Sequence, residues 1–91
     1  MLMRMRVSVV CAPHPRQEVE AALRAAGERL ARKAESVSVK MDPAAPAVAI
    51  LEFEMRRTAQ YKVVDDIFRI VKLQTWDFYQ DITVQFLSDE V

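Results

Sequence analysis

Hydrophobic and polar residues alternate with a period of two along several short stretches of the chain. The clearest stretch is Val48–Arg56. Its alternate apolar positions are Ala49, Leu51, Phe53 and Met55. Charged residues follow between and after them at Glu52, Glu54 and Arg56. Because this period is typical of a β-strand with one buried and one solvated face, we predict the central strand of a small sheet here.

The same alternation predicts further strands on either side of this one. They are Met3–Cys11, Ser36–Met41 and a last strand that includes Asp81–Phe86. The first strand turns Arg4 and Arg6 to its polar side and ends where two prolines follow, since proline removes a backbone donor. Trp76 and Phe78 share the parity of the inner face of the last strand, which would let that strand begin before Asp81.

Two other stretches repeat their apolar residues at helical spacing. We predict a first helix over Pro15–Ala34 and a second over Ala59–Leu73, with Thr58 as the N-cap of the second. The buried stripe of the first helix comprises Val19, Leu23, Ala26 and Leu30. That of the second comprises Val64, Ile67, Phe68 and Val71, widened by Tyr61 and Val63. The prolines of Asp42–Ala47 predict a turn between the second and third strands.

The resulting order, strand–helix–strand–strand–helix–strand, predicts an α+β fold, the ferredoxin-like βαββαβ plait, over a single domain, residues 1–91. Its four-stranded antiparallel sheet would have the order 4-1-3-2, with two helices on one face. The first and third strands would then be neighbours. Arg4 and Arg6 would lie beside Glu52 and Glu54 on the open face, where opposite charges attract across strands.

The segment Leu51-Glu52-Phe53-Glu54 resembles the end of the third strand in the RNA recognition motif, whose element order is also similar. The resemblance would imply binding of single-stranded RNA by bases stacked on aromatic side chains. The matching positions here hold Val48 and Ile50, and the first strand offers Arg6, Ser8 and Val10, so the stacking aromatics are missing. With 13 basic and 13 acidic residues, the chain also has no overall attraction for nucleic acid. A degenerate nucleic-acid binder is therefore kept only as an alternative.

Candidate chemistry is confined to Cys11 and His14 in the segment Cys11-Ala-Pro-His14. A thiolate near an imidazole and a helix N-terminus could act as a nucleophile, so a small thiol enzyme is a second alternative. Cys11 has the parity of the core, however, and a buried structural role is the preferred interpretation. Two residues are too few for a metal site, and we predict no metal and no cofactor. One cysteine and a short apolar N-terminal run predict a cytoplasmic protein without a membrane segment.

Trp76, Phe78 and Tyr79 form an aromatic cluster between the second helix and the last strand. The cluster would either close one end of the core or present a surface to a partner, and the sequence leaves both open. Since no catalytic motif stands out, we predict a non-catalytic protein-interaction or regulatory module, not an enzyme. Its partner would be another protein or a second copy of the chain, bound through these aromatics or through the last strand as an exposed sheet edge.

Overall fold

The elements follow one another in the order strand–helix–strand–strand–helix–strand. The computed structural model describes residues 2–30, 33–42, 45–56 and 60–88. Its elements are β1 (Leu2–Cys11), α1 (Arg16–Leu30), β2 (Lys33–Asp42), β3 (Ala45–Arg56), α2 (Gln60–Gln74) and β4 (Tyr79–Ser88). The predicted α+β ferredoxin-like class with two helices is confirmed.

Within these described residues the strands form a four-stranded antiparallel sheet in the order β2-β3-β1-β4. Of the two central strands, β1 pairs along its whole length with residues 47–56 of β3. Their register places Met5 opposite Phe53 and Val7 opposite Leu51. Because side chains alternate between the two faces of a strand, this register collects the apolar positions of both strands on one face.

The core lies between that face and the two helices, which contact each other as well as the sheet. The largest fully buried side chains include Phe53, Met5, Leu23, Leu51 and Ile67. Helix α1 contributes Val19, Leu23 and Ala26, while α2 contributes Val63, Ile67 and Val71. Each fully buried large side chain contributes up to about 1.5–3 kcal/mol to the free energy of unfolding. The sheet is therefore covered on one face by the chain's own helices and left open on the other.

Helix α1 is shorter than predicted. It ends at Leu30, and β2 already begins at Lys33, whereas the predicted helix continued to Ala34. Lys33 lies opposite Glu54 and Ala34 opposite Phe53 in the β2–β3 ladder. These residues therefore belong to the β2–β3 ladder, and strand pairing overrides the helical pattern of the sequence.

The predicted turn over Asp42–Ala47 is also too long, because β3 begins at Ala45. Between Lys40 and Asp42 the register shifts, so that β3 has one more residue there than β2. That interval of β3 contains Pro46. A proline lacks the backbone donor of a ladder and is tolerated at such irregularities, which explains why a proline stands inside a strand. The predicted N-cap Thr58 lies outside the described residues.

The stripe of α2 is turned slightly from the predicted one. Val63 is fully buried, whereas Val64 and Phe68 are half-buried. Across the described ranges, neither helix is long and apolar enough to cross a membrane.

Candidate functional site

The open face of the sheet has a charged end formed by β1 and β3. Arg6 lies opposite Glu52 and Arg4 opposite Glu54, as the charge pattern of the sequence predicts. The Nη2 atom of Arg6 is 3.4 Å from Oε2 of Glu52, and both side chains are partly exposed. A pair of this exposure contributes at most about 1 kcal/mol to stability. Its larger effect is on register, since a slip by one residue would bring these charges to the core face.

The other end of the open face is apolar. Val10 lies opposite Val48, and Ser8 lies opposite Ile50 in the neighbouring row. These residues are half-buried, because the helices cover the opposite face of the sheet. The open face thus changes from charged to apolar along the length of its central strands.

At the apolar end, the turn after β1 meets the turn before β4. The amide of Ala12 donates a hydrogen bond of 2.8 Å to the carbonyl of Phe78. Cys11 and Tyr79 are cross-strand partners in the same region. These contacts bring the ring of His14 onto the ring of Phe78, with a centroid distance of 4.6 Å and an interplanar angle of 29°. We call the side chains of His14, Glu18, Trp76, Phe78 and Tyr79 the turn cluster.

Thr75 organises the α2–β4 turn of this cluster. Its buried hydroxyl donates to the carbonyl of Val71 over 2.7 Å, and its amide donates to the same carbonyl over 2.9 Å, so the buried hydroxyl has a partner at the helix end. Its own carbonyl accepts hydrogen bonds from the amides of Phe78 and Tyr79 at 3.0 and 2.9 Å. The resulting tight turn directs successive side chains to different sides.

The predicted aromatic cluster is divided by this turn. Phe78 is buried with 5% of its surface exposed, whereas Trp76 is 70% exposed. Tyr79 is half-buried and lies beside Trp76, with ring centroids 6.0 Å apart. One member of the cluster therefore closes the core and another is presented to solvent, and neither of the two alternatives holds for the whole set. Any role of these residues in binding a partner stays a prediction.

The imidazole of His14 is held at two sites on its ring. Phe78 covers one face, and the Nε2 atom lies 3.3 Å from Oε1 of Glu18, one helical turn further along. The His14 side chain remains 24% exposed. The sequence interpretation considered His14 as a partner of Cys11; Glu18 was missed, although the i,i+4 spacing of His14 and Glu18 can be read directly from the chain.

Cys11 is fully buried, and its Sγ atom lies 3.5 Å from the carbonyl oxygen of Val9. Burial raises the pKa of the Cys11 thiol, an effect that a backbone hydrogen bond from Ala49 only partly offsets. A protonated, inaccessible thiol is a poor nucleophile. The alternative of a thiol enzyme that uses Cys11 is therefore wrong, and the preferred interpretation of Cys11 as a small core residue agrees with its position.

Residues 2–30, 33–42, 45–56 and 60–88 contain no group of three or more His, Cys, Asp or Glu side chains arranged to hold a metal ion. The titratable side chains of the turn cluster are His14, Glu18 and Tyr79. What this arrangement offers chemically is one partly exposed imidazole stacked on Phe78 and, in the turn before β4, an exposed aromatic surface formed by Trp76 and Tyr79.

No protein-family model matches the sequence, and no curated protein matches it. Several solved structures, however, match its fold. A dimeric protein of unknown function with a ferredoxin-like fold from Bacteroides fragilis superposes with a TM-score of 0.56 at 13% identity, over 96% of this chain and 95% of that one. A candidate antibiotic biosynthesis monooxygenase from Bordetella bronchiseptica gives 0.55 at 12% identity, over 99% and 98%. Another, from Bacteroides thetaiotaomicron, gives 0.53 at 15% identity, over 99% and 90%.

At such identities the likeness shows a shared fold. It nevertheless overturns the prediction of a non-catalytic interaction module that is not an enzyme, because the full-length neighbours of this chain include candidate monooxygenases. The prediction failed because it treated the lack of a catalytic motif as a sign of no catalysis. None of the three structures is described as an RNA recognition motif, so that resemblance extends only to the layout of the elements.

The burial of Cys11 generates a direct prediction about its reactivity. Because the thiol is enclosed and its pKa is raised, we expect native protein at pH 8 to react with a thiol reagent at least about a hundredfold more slowly than unfolded protein. The folded state also favours the protonated thiol, so the thiol's contribution to stability should be present below the ordinary thiol pKa and lost as pH rises above it. A native rate close to the unfolded rate would contradict the burial of Cys11.

Proposed function

We propose that the chain is a small-molecule enzyme of the monooxygenase type. The observation that carries this proposal is the full-length likeness to two candidate antibiotic biosynthesis monooxygenases. Because a fold hosts many activities, the proposal also needs residues of this chain that can perform the chemistry. The turn cluster supplies them.

A monooxygenase places one atom of O2 in its substrate and releases the other as water. A substrate that carries two removable hydrogens can supply both electrons itself, according to SH2 + O2 → SO + H2O. Such a substrate reacts with O2 most readily after it has lost a proton and become electron-rich. The protein must therefore bind the substrate next to a base and keep it oriented.

His14 is the residue of the turn cluster that fits the role of base, because its imidazole is partly exposed and a neutral imidazole has one nitrogen with a free lone pair. Phe78 supports the ring from behind and has little exposed surface of its own. In the turn before β4, Trp76 and Tyr79 lie next to each other and provide an accessible aromatic surface. A flat substrate would stack on that surface, since stacking on aromatic side chains holds planar groups without specific hydrogen bonds.

The proposal is tested by oxygen uptake with anthrone, an aromatic ketone whose methylene group lies between two rings. In an atmosphere of ¹⁸O2, we expect one labelled oxygen atom in the product and the other in water. His14→Gln should lower kcat by about 10²- to 10⁴-fold, because it removes the base. Trp76→Ala should mainly raise KM, because it removes part of the stacking surface.

The matched control is Arg69→Gln, an exposed α2 residue that pairs with Asp66 away from the turn cluster and should leave kcat and KM unchanged. Circular dichroism should show the same fold for all variants. Full activity of His14→Gln would contradict the role of His14. Oxygen uptake by the wild-type protein no faster than in buffer, across a series of such methylene ketones, would contradict the proposed activity.

We also propose that the chain self-associates through the open face of its sheet. One of the similar structures is dimeric. The apolar end of this face, Val10, Val48 and Ile50, is left uncovered by the helices. A second copy would bury it, and the charged end could pair with its own counterpart because it carries both signs.

This second proposal predicts a dimer by light scattering. Ile50→Lys introduces a charge at the apolar end of the open face and should weaken association at least about tenfold, giving a monomer at micromolar concentration. The control is Leu73→Lys, which changes an exposed leucine of α2 on the other side of the molecule. Its mass should equal that of the wild type. A monomeric wild-type protein at high concentration, or a dimer that Ile50→Lys leaves intact, would contradict association through this face.

A further inference from the structure

We propose that Glu18 is a positioning residue that determines which nitrogen of His14 faces the substrate. In this arrangement Nε2 carries the proton and is directed to Glu18, while Nδ1 carries the lone pair that accepts a proton from the substrate. The part of this inference that concerns catalysis rests on the proposed function. The part that concerns the state of the imidazole ring does not.

Stacking on Phe78 fixes the plane of the His14 ring, but it does not determine which ring nitrogen lies toward Glu18. The two rings lie 4.6 Å apart and close to parallel. A 180° turn of the imidazole about its Cβ–Cγ bond would preserve that contact and exchange the two edges of the ring. The backbone of Phe78 is itself fixed by two hydrogen bonds. Its carbonyl accepts one from the amide of Ala12, and its amide donates one to the carbonyl of Thr75. The choice of edge must therefore come from another group.

Glu18 makes that choice. Its Oε1 atom is 3.3 Å from Nε2 of His14. The contact is close but is not aligned as a hydrogen bond, so its effect is electrostatic: a carboxylate attracts the N–H of a neutral imidazole and repels the lone pair of its bare nitrogen. The attraction therefore favours the tautomer with the proton on Nε2, which leaves Nδ1 as the basic nitrogen. The position of Glu18 in the first turn of α1 also suits a negative charge, since it lies near the positive end of the helix dipole.

The neighbouring acidic residue on this helix has a different partner. Glu20 receives a hydrogen bond of 3.2 Å from Nε of Arg16, also at i,i+4 spacing. The two adjacent contacts are thus alike in spacing and distance, and only one of them involves the imidazole. Glu20→Gln therefore provides a matched control that removes a carboxylate from the same helix without touching His14.

The chain contains a single histidine, so the ring nitrogens of His14 give one unambiguous pair of signals in ¹⁵N-labelled protein. At about pH 9, where histidine is ordinarily neutral, we expect the wild type to show a protonated Nε2 and a bare Nδ1. Glu18→Lys places a donor beside Nε2 and should invert this pattern. Glu18→Gln keeps an acceptor oxygen and should preserve most of it. Glu20→Gln should leave both shifts unchanged.

Activity provides the second readout. Glu18→Lys should lower kcat by about 10- to 100-fold with KM within about twofold, while Glu18→Gln retains most of kcat. Unchanged ring shifts in Glu18→Lys would overturn the inference whatever the activity. Inverted shifts with an unchanged kcat would overturn the role of Glu18 in catalysis. Inverted shifts in a protein that consumes no oxygen in any form would support the positioning of the ring and count against the proposed function instead.

Discussion

The structure depends on the register between β1 and β3. Their pairing aligns Arg6 with Glu52 and Val7 with Leu51, so that one face of both strands is entirely apolar and the other carries opposite charges. A slip of one strand by one residue would turn the charged residues of that strand, the arginines of β1 or the glutamates of β3, beneath the helices, where unpaired charges cost several kcal/mol each. The core packing and the attraction across the open face therefore favour the same register, and the helices and outer strands pack around it.

The same register decides where chemistry can occur. The side chains between the sheet and the helices are closely packed and apolar, and Cys11 belongs to them. Among the described residues, the other titratable groups lie outside this core, on the open face of the sheet, on the exposed sides of the helices and at the strand ends. Where β1 ends, the chain turns toward α1 and meets the turn before β4, and the hydrogen bond between Ala12 and Phe78 joins the two turns. The imidazole, its carboxylate partner and Phe78 lie together because these turns do.

Much of the fold follows from the sequence, because parity along a strand is a local property. Met5, Val7 and Phe53 are buried as their positions predict. The end of α1 was missed because Lys33 and Ala34 pair with residues distant in sequence. The division between Phe78 and Trp76 depends on a turn built by Thr75, which parity does not describe. The stacking of His14 on Phe78 was missed because it joins two turns that are far apart in the chain.

The register between the central strands is tested most directly by nuclear Overhauser contacts between backbone protons of β1 and β3. The account predicts contacts that join Arg6 with Glu52 and Val7 with Leu51, alternating between amide and α-proton pairs as in any antiparallel ladder. Contacts that instead join Arg6 with Leu51 or with Phe53 would show the strands slipped by one residue, and the assignment of the two faces would then be wrong.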